Sequence, residues 1–233
     1  MSTLICFALK EEAAPFQKSG LRRGHRVLLT GIGRANAEKA VREFLVKWLA
    51  GTLAPPDLVL TCGFAGGLNP DLKLGDVVFE MPLAPSPFPS DGERMSTRTG
   101  EGLVEKLLAN GAQPAKFFCA DRIATTAAEK KNLREETGAD AVEMESAAIH
   151  AVCREPGIPC ATIRVISDTA VEDLPLDFNA LVKPDKSLDL GRLSLAIAKS
   201  PGKIGALLEL QRKTRFAAEK LAEALSMILR PAK

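Results

Sequence analysis

The chain has 233 residues, of which 46% are apolar and 26% charged. That is enough apolar material for a substantial core, and it excludes a disordered chain, a fibre or a small disulfide scaffold. The net charge of +2 and an aromatic content of 5% without any Tyr argue against a nucleic-acid binder, by charge and by stacking alike. The charge is uneven. Residues 183–233 carry eleven Lys/Arg against five Asp/Glu, leaving a mildly acidic body and a basic C-terminal extension.

In chain order, Thr3–Ala8 and Arg26–Thr30 read as strands and Ala35–Leu49 as a helix. A strand over Asp57–Cys62 follows the breaker Pro55-Pro56, and another starts at Gly75. The Pro-, Ser- and Gly-rich stretch Pro82–Arg98 reads as a solvated surface loop. Gly102–Leu108 reads as a helix, Lys116–Ala120 as a strand, Ala127–Glu135 as a helix and Cys160–Ile166 as a buried strand. Leu188–Ala198 looks helical. Ile204–Leu229 forms a long helix whose positions 207, 210, 214, 217, 221, 225 and 228 share one face, apolar except for Thr214. Continuous apolar strands alternating with helices predict one α/β domain over 1–233, with a central, mostly parallel twisted sheet flanked by helices.

Five cysteines without a C-x-x-C pair, most of them inside apolar runs, read as buried free thiols in a reducing compartment. Lys10-Glu11-Glu12 interrupts the apolar N-terminal run too early for a signal peptide, and no 18-residue apolar stretch exists. A cytoplasmic protein is expected.

Ligands of parallel sheets bind at the carboxyl ends of strands, and four places put polar residues or glycines there. Lys10-Glu11-Glu12 follows the first strand, as a carboxylate at the sheet rim or as an ordinary acidic helix start. Gly63-Phe64-Ala65-Gly66-Gly67, with Gly31-Ile32-Gly33 as a weaker parallel, allows close backbone approach to a ligand or simply a tight turn. Ala141-Val142-Glu143-Met144-Glu145-Ser146 opens a helix after an apolar pair; its two acids face one side if extended and opposite sides if helical. In Arg164-Val165-Ile166-Ser167-Asp168, an Asp ends a buried strand, where it must be paired, used or spent on capping the next helix.

Together Glu12, Thr30-Gly31-Ile32-Gly33, Gly63 to Leu68, Gly75-Asp76-Val77-Val78, Val142-Glu143-Met144-Glu145 and Arg164 to Ala170 resemble the nucleoside phosphorylase/nucleosidase superfamily in order and rough spacing. The branch most similar is that of the 5′-methylthioadenosine/S-adenosylhomocysteine nucleosidases, over about residues 3–172. The resemblance implies cleavage of an N-glycosidic bond without a metal or organic cofactor. It implies Asp168 as general acid to the purine, beside Ser167, Glu145 on the ribose hydroxyls, Met144 beside the sugar, and Glu12 with Arg164 holding the attacking water. It also implies that Gly33, Gly63, Ala65 and Gly66 shape the floor of the site. A homo-oligomer is expected by the same likeness.

The chain departs from the family pattern in two places. Phe64 stands where a Ser is common, and Thr61 where phosphorylases carry an Arg, so the usual phosphate site is dismantled. Ile123 stands where nucleosidases stack a Phe on the base. The tail from Val171 onward resembles a hopanoid-associated subset, which keeps open a lipid-linked nucleoside, phosphorolysis and a peripheral membrane contact by the basic helix. A non-catalytic nucleoside-binding or membrane-docking protein is the competing class; it would have no need for an acid at 168.

Overall fold

The computed structural model describes residues 2–20, 25–53, 56–81, 101–181 and 201–230. The expected loop Pro82–Arg98 and helix Leu188–Ala198 lie outside them. In chain order the elements are β1 (Thr3–Phe7), α1 (Lys10–Lys18), β2 (His25–Leu29), α2 (Arg34–Leu49), β3 (Leu58–Gly67) and β4 (Val77–Glu80). There follow α3 (101–109), β5 (Gln113–Pro114), β6 (Phe117–Cys119), α4 (Ala127–Thr137), β7 (Ala141–Glu143), α5 (Ser146–Arg154), β8 (Cys160–Asp168) and α6 (Ile204–Leu229).

The sheet runs β2-β1-β3-β8-β4-β5, with β7 pairing both β3 and β6. The β1–β2, β1–β3, β3–β8, β4–β5 and β6–β7 pairs are parallel; β4–β8 and β3–β7 are antiparallel. This is the mixed, mostly parallel sheet that the alternating pattern predicts.

Period-two alternation divides the strands between two cores. Leu4, Cys6 and Val59 face Ala37, Val41 and Leu45 of α2 and Ile149, Val152 and Cys153 of α5. Ile5, Phe7, Leu58 and Leu60 face Ala13 and Phe16 of α1, Leu103 and Leu107 of α3, and Ala217, Leu221, Leu225 and Ile228 of α6. The C-terminal half of the apolar face expected on α6 is therefore buried. At its N-terminal end Ile204 and Leu208 remain 46% and 54% exposed.

Two local differences from the sequence reading matter for the site. Strand β3 does not end at Cys62: it continues through the glycines to Gly67, because β8 pairs with it as far as Gly66 opposite Asp168, across a bulge between Ala65 and Gly66. The Ala141–Ser146 stretch does not open as a helix. Ala141–Glu143 pairs with β3 and β6 as a strand, and α5 starts only at Ser146.

Candidate active site

Four chain segments converge where β1, β3, β7 and β8 end. They enclose a cleft of about 180 Å³ lined mainly by apolar groups, among them Ala8, Leu9, Ile32, Val142 and Leu174. Of the residues singled out in the sequence, Glu12, Phe64, Ala65, Gly66, Ile123, Met144, Glu145, Ser167 and Asp168 line it. Arg164, Gly63 and Gly33 are not among its lining residues and serve the cluster behind it.

At the centre of that cluster Arg164 is 1% exposed. Its Nη2 donates to Glu143 Oε2 at 2.5 Å, Glu145 Oε2 at 3.2 Å and Thr61 Oγ1 at 3.2 Å. Because Glu143 ends a strand and Glu145 stands just before the next helix, both acids reach the same guanidinium. Glu143 is further held by the Glu145 and Ser146 backbone N–H groups and by Ser146 Oγ. Burial alone would push its carboxyl up, but Arg164 and these donors bring it below the usual range. Glu145 accepts from the backbone N–H of Gly33 at 2.8 Å and from that of Met144. There burial wins over Arg164, with the charge of Glu143 adding, and the carboxyl is raised.

Glu12, the third acid, is 3% exposed. Its Oε1 accepts from Phe64 N–H and its Oε2 from Leu9 N–H, each at 2.9 Å. Desolvation raises its pKa to about 7, against the pull of Arg164 and of the two N–H groups. Phe64 thus contributes its amide to the site as well as its ring.

Asp168 Oδ1 accepts from Ser167 Oγ at 2.7 Å, and its Oδ2 lies 2.5 Å from Lys130 Nζ. Lys130 was not legible as a site residue. It is the only buried residue of α4, a helix that otherwise reads as a polar surface helix. Asn179 was likewise missed: its carboxamide accepts from Ile123 N–H and donates to Ile123 C=O, both at 2.9 Å, fixing Ile123 in the cleft wall.

No group of three or more His, Cys, Asp or Glu side chains that could hold a metal ion occurs among the described residues. No helix among them is long and apolar enough to cross a membrane.

The mixed α/β sheet with its cleft at the strand ends has the nucleoside phosphorylase-like fold. The phosphorylase superfamily model matches residues 109–197. A 5′-methylthioadenosine/S-adenosylhomocysteine nucleosidase of Bacillus cereus (strain G9842) is 30% identical over 190 residues, 69% of this chain and 75% of that protein. An aminodeoxyfutalosine nucleosidase of Campylobacter jejuni is 29% identical over 179 residues, 69% of this chain and 75% of that protein. In fold, the chain superposes on futalosine hydrolase of Helicobacter pylori with a TM-score of 0.64 at 19% identity, covering 98% of this chain and 97% of that one. The chain belongs to the phosphorylase superfamily, in the branch of the 5′-methylthioadenosine/S-adenosylhomocysteine nucleosidases. It is an enzyme acting on N-glycosidic bonds.

Proposed function

We propose that the protein hydrolyses the N-glycosidic bond of a purine-type nucleoside, including 5′-substituted ones such as 5′-methylthioadenosine, with water as the nucleophile. The observation that carries this reading is the charge around Arg164: three buried carboxylates, Glu12, Glu143 and Glu145, surround one buried cation. These acids take up the one cation and leave none for phosphate, and Thr61 and Phe64 offer no other. Glu12 and Glu145, where ionised, also favour an oxocarbenium-like sugar, which is positive in the transition state.

In this mechanism Glu12 positions the attacking water and takes its proton; a base with a pKa near the working pH suits that task. Glu145, with Met144 beside it, holds the ribose hydroxyls. Asp168 gives its proton to the purine as the C1′–N9 bond breaks and the bonding electrons pass to the base. The apolar lining leaves room for an uncharged 5′ substituent and excludes bulk water. Ile123 gives the base an aliphatic wall in place of a stacking ring.

The test is base release from a panel of 5′-methylthioadenosine, S-adenosylhomocysteine, adenosine and inosine, with and without phosphate. The expected result is a free sugar and a rate independent of phosphate. A sugar 1-phosphate and a rate rising with phosphate would assign the protein to phosphorolysis. Tight binding without turnover would make it a binding protein. In the same assay, Asp168→Asn is expected to lower kcat by ~10²–10⁴.

A further inference from the structure

Lys130 is 0% exposed, shielded from bulk solvent. Its Nζ lies 2.5 Å from Asp168 Oδ2, 2.8 Å from the Thr169 carbonyl and 2.9 Å from the Glu172 carbonyl. An ammonium has three N–H donors, and three acceptors surround this one. Each donor thus has its acceptor, and the one acceptor that faces the cleft is the carboxyl group of Asp168. The two carbonyls belong to the segment directly after β8, so the cation ties the Asp168 side chain to the backbone that follows it. That segment is fastened in turn: Glu172 accepts from Thr169 N–H and pairs with Lys213 of α6. Gly66 completes the seat, since a side chain there would come within 3.3 Å of Asp168 Oδ2.

A buried cation in this place does more than fill space. An aspartic acid that gives up its proton leaves a carboxylate behind, and in a desolvated cleft that carboxylate needs a partner at the moment it forms. Asp168 has one already in contact. We infer that Lys130 is a positioning residue of the reaction, fixing the Asp168 carboxyl toward the cleft and stabilising the carboxylate left when its proton moves to the leaving base. The inference rests on Asp168 being the acid. The O–H bond of Asp168 breaks, the N–H bond of the base forms, and Lys130 keeps all its protons. The acid takes up its next proton from solvent through the cleft it lines.

The experiment measures kcat and KM on 5′-methylthioadenosine for K130M, K130R, D168N and the K130M/D168N double variant, together with melting temperatures. K130M is expected to lose at least ~10-fold in kcat with KM within ~3-fold of wild type, and K130R, which keeps the charge, to recover part of the loss. The double variant is expected to be no more than ~3-fold slower than D168N, because residues acting through one step are not additive. A K130M within twofold of wild type, or losses that multiply in the double variant, would overturn the inference. Should K130M not fold, K130R against K130Q carries the same comparison, and equal losses in the two overturn it. A slow D168N with a normal K130M sinks only the role of Lys130. A normal D168N, or a wild-type protein that cleaves none of the panel, sinks the assignment of the acid and this inference with it.

Discussion

Arg164 and Glu12 meet in the space that a side chain at position 63 would occupy. A Cβ on Gly63 would stand 2.5 Å from Arg164 Nη1 and 2.6 Å from Glu12 Oε1. The glycine at this point of β3 is therefore a requirement of the ion cluster rather than of a turn or of a bound ligand. Both charged groups are packed from other sides as well, so neither is free to retreat.

Gly63→Ala should consequently misplace the acid that holds the water. Overpacking of this kind costs about 1–3 kcal/mol, and a shift near 1 Å in a reacting group costs about 10²-fold in rate. Denaturant melts and steady-state kinetics on the same preparation measure both. A Gly63→Ala enzyme with wild-type kcat would show that the Arg164–Glu12 geometry does not govern the chemistry.

The pH dependence follows from Glu12. Burial holds its pKa at about 7, well above its ordinary value of 4.5. Only the ionised form can take a proton from water. On the limb that Glu12 sets, activity is therefore lost as pH falls through about 7. The kcat/KM profile of the free enzyme should fall about tenfold per pH unit on that acid limb. Glu12→Gln, which cannot accept the proton, should be slow at every pH, with no limb near 7. A wild-type profile flat from pH 5 to 8 would remove Glu12 as the base.

Arg164 is the only positive charge in direct contact with Glu143 and Glu145 among the described residues. Removing one partner of a buried ion pair typically costs about 3–5 kcal/mol, so Arg164→Met should destabilise by that order at pH 8. The sign of the pH effect follows. Without the cation the carboxylates are raised and prefer their protonated forms, so the penalty shrinks as pH falls toward 5. Urea unfolding at the two pH values tests this. An equal penalty at both would mean that the acids do not depend on Arg164 for their charge.

How much of this could be read from residues alone depends on what each residue's neighbours in sequence reveal. Asp168 and Glu12 announce themselves because each follows a buried apolar strand, where an acid is expensive. The extension of β3 through Gly63–Gly67 was not legible, since glycines favour turns locally and only pairing with β8 and β7 overrides that tendency. Glu143 and Glu145 could not be assigned to one face until β7 was known to be a strand. Lys130 gave no signal at all. Its flanks are Glu129 and Lys131, the ordinary text of a surface helix, and only the packing of α4 against the segment after β8 buries it.

The long helix α6 allows the last test, because its two halves sit in different surroundings. Leu221 and Leu225 are fully buried in the core shared with Phe16 of α1 and Val165 of β8. Leu208, three turns earlier, is 54% exposed. Leu221→Ala should cost about 2–5 kcal/mol, and Leu208→Ala should fall within about 0.5 kcal/mol of wild type. The basic face does not by itself make this helix a membrane anchor. Arg212 pairs with Glu209 at 2.6 Å, Arg215 with Glu219 at 3.1 Å and Lys220 with Glu223 at 2.8 Å, while Lys213 is bound to Glu172. The segment keeps its net positive charge, but these cations are paired on the protein itself and the buried half of the helix fastens it to the core. Truncation at residue 203 should accordingly lower the melting temperature sharply, and the full chain should not sediment with phosphatidylserine vesicles at physiological salt. A truncated protein that keeps its melting temperature and its nucleosidase activity, while the full chain alone binds the vesicles, would reverse this assignment and make α6 a lipid-facing element.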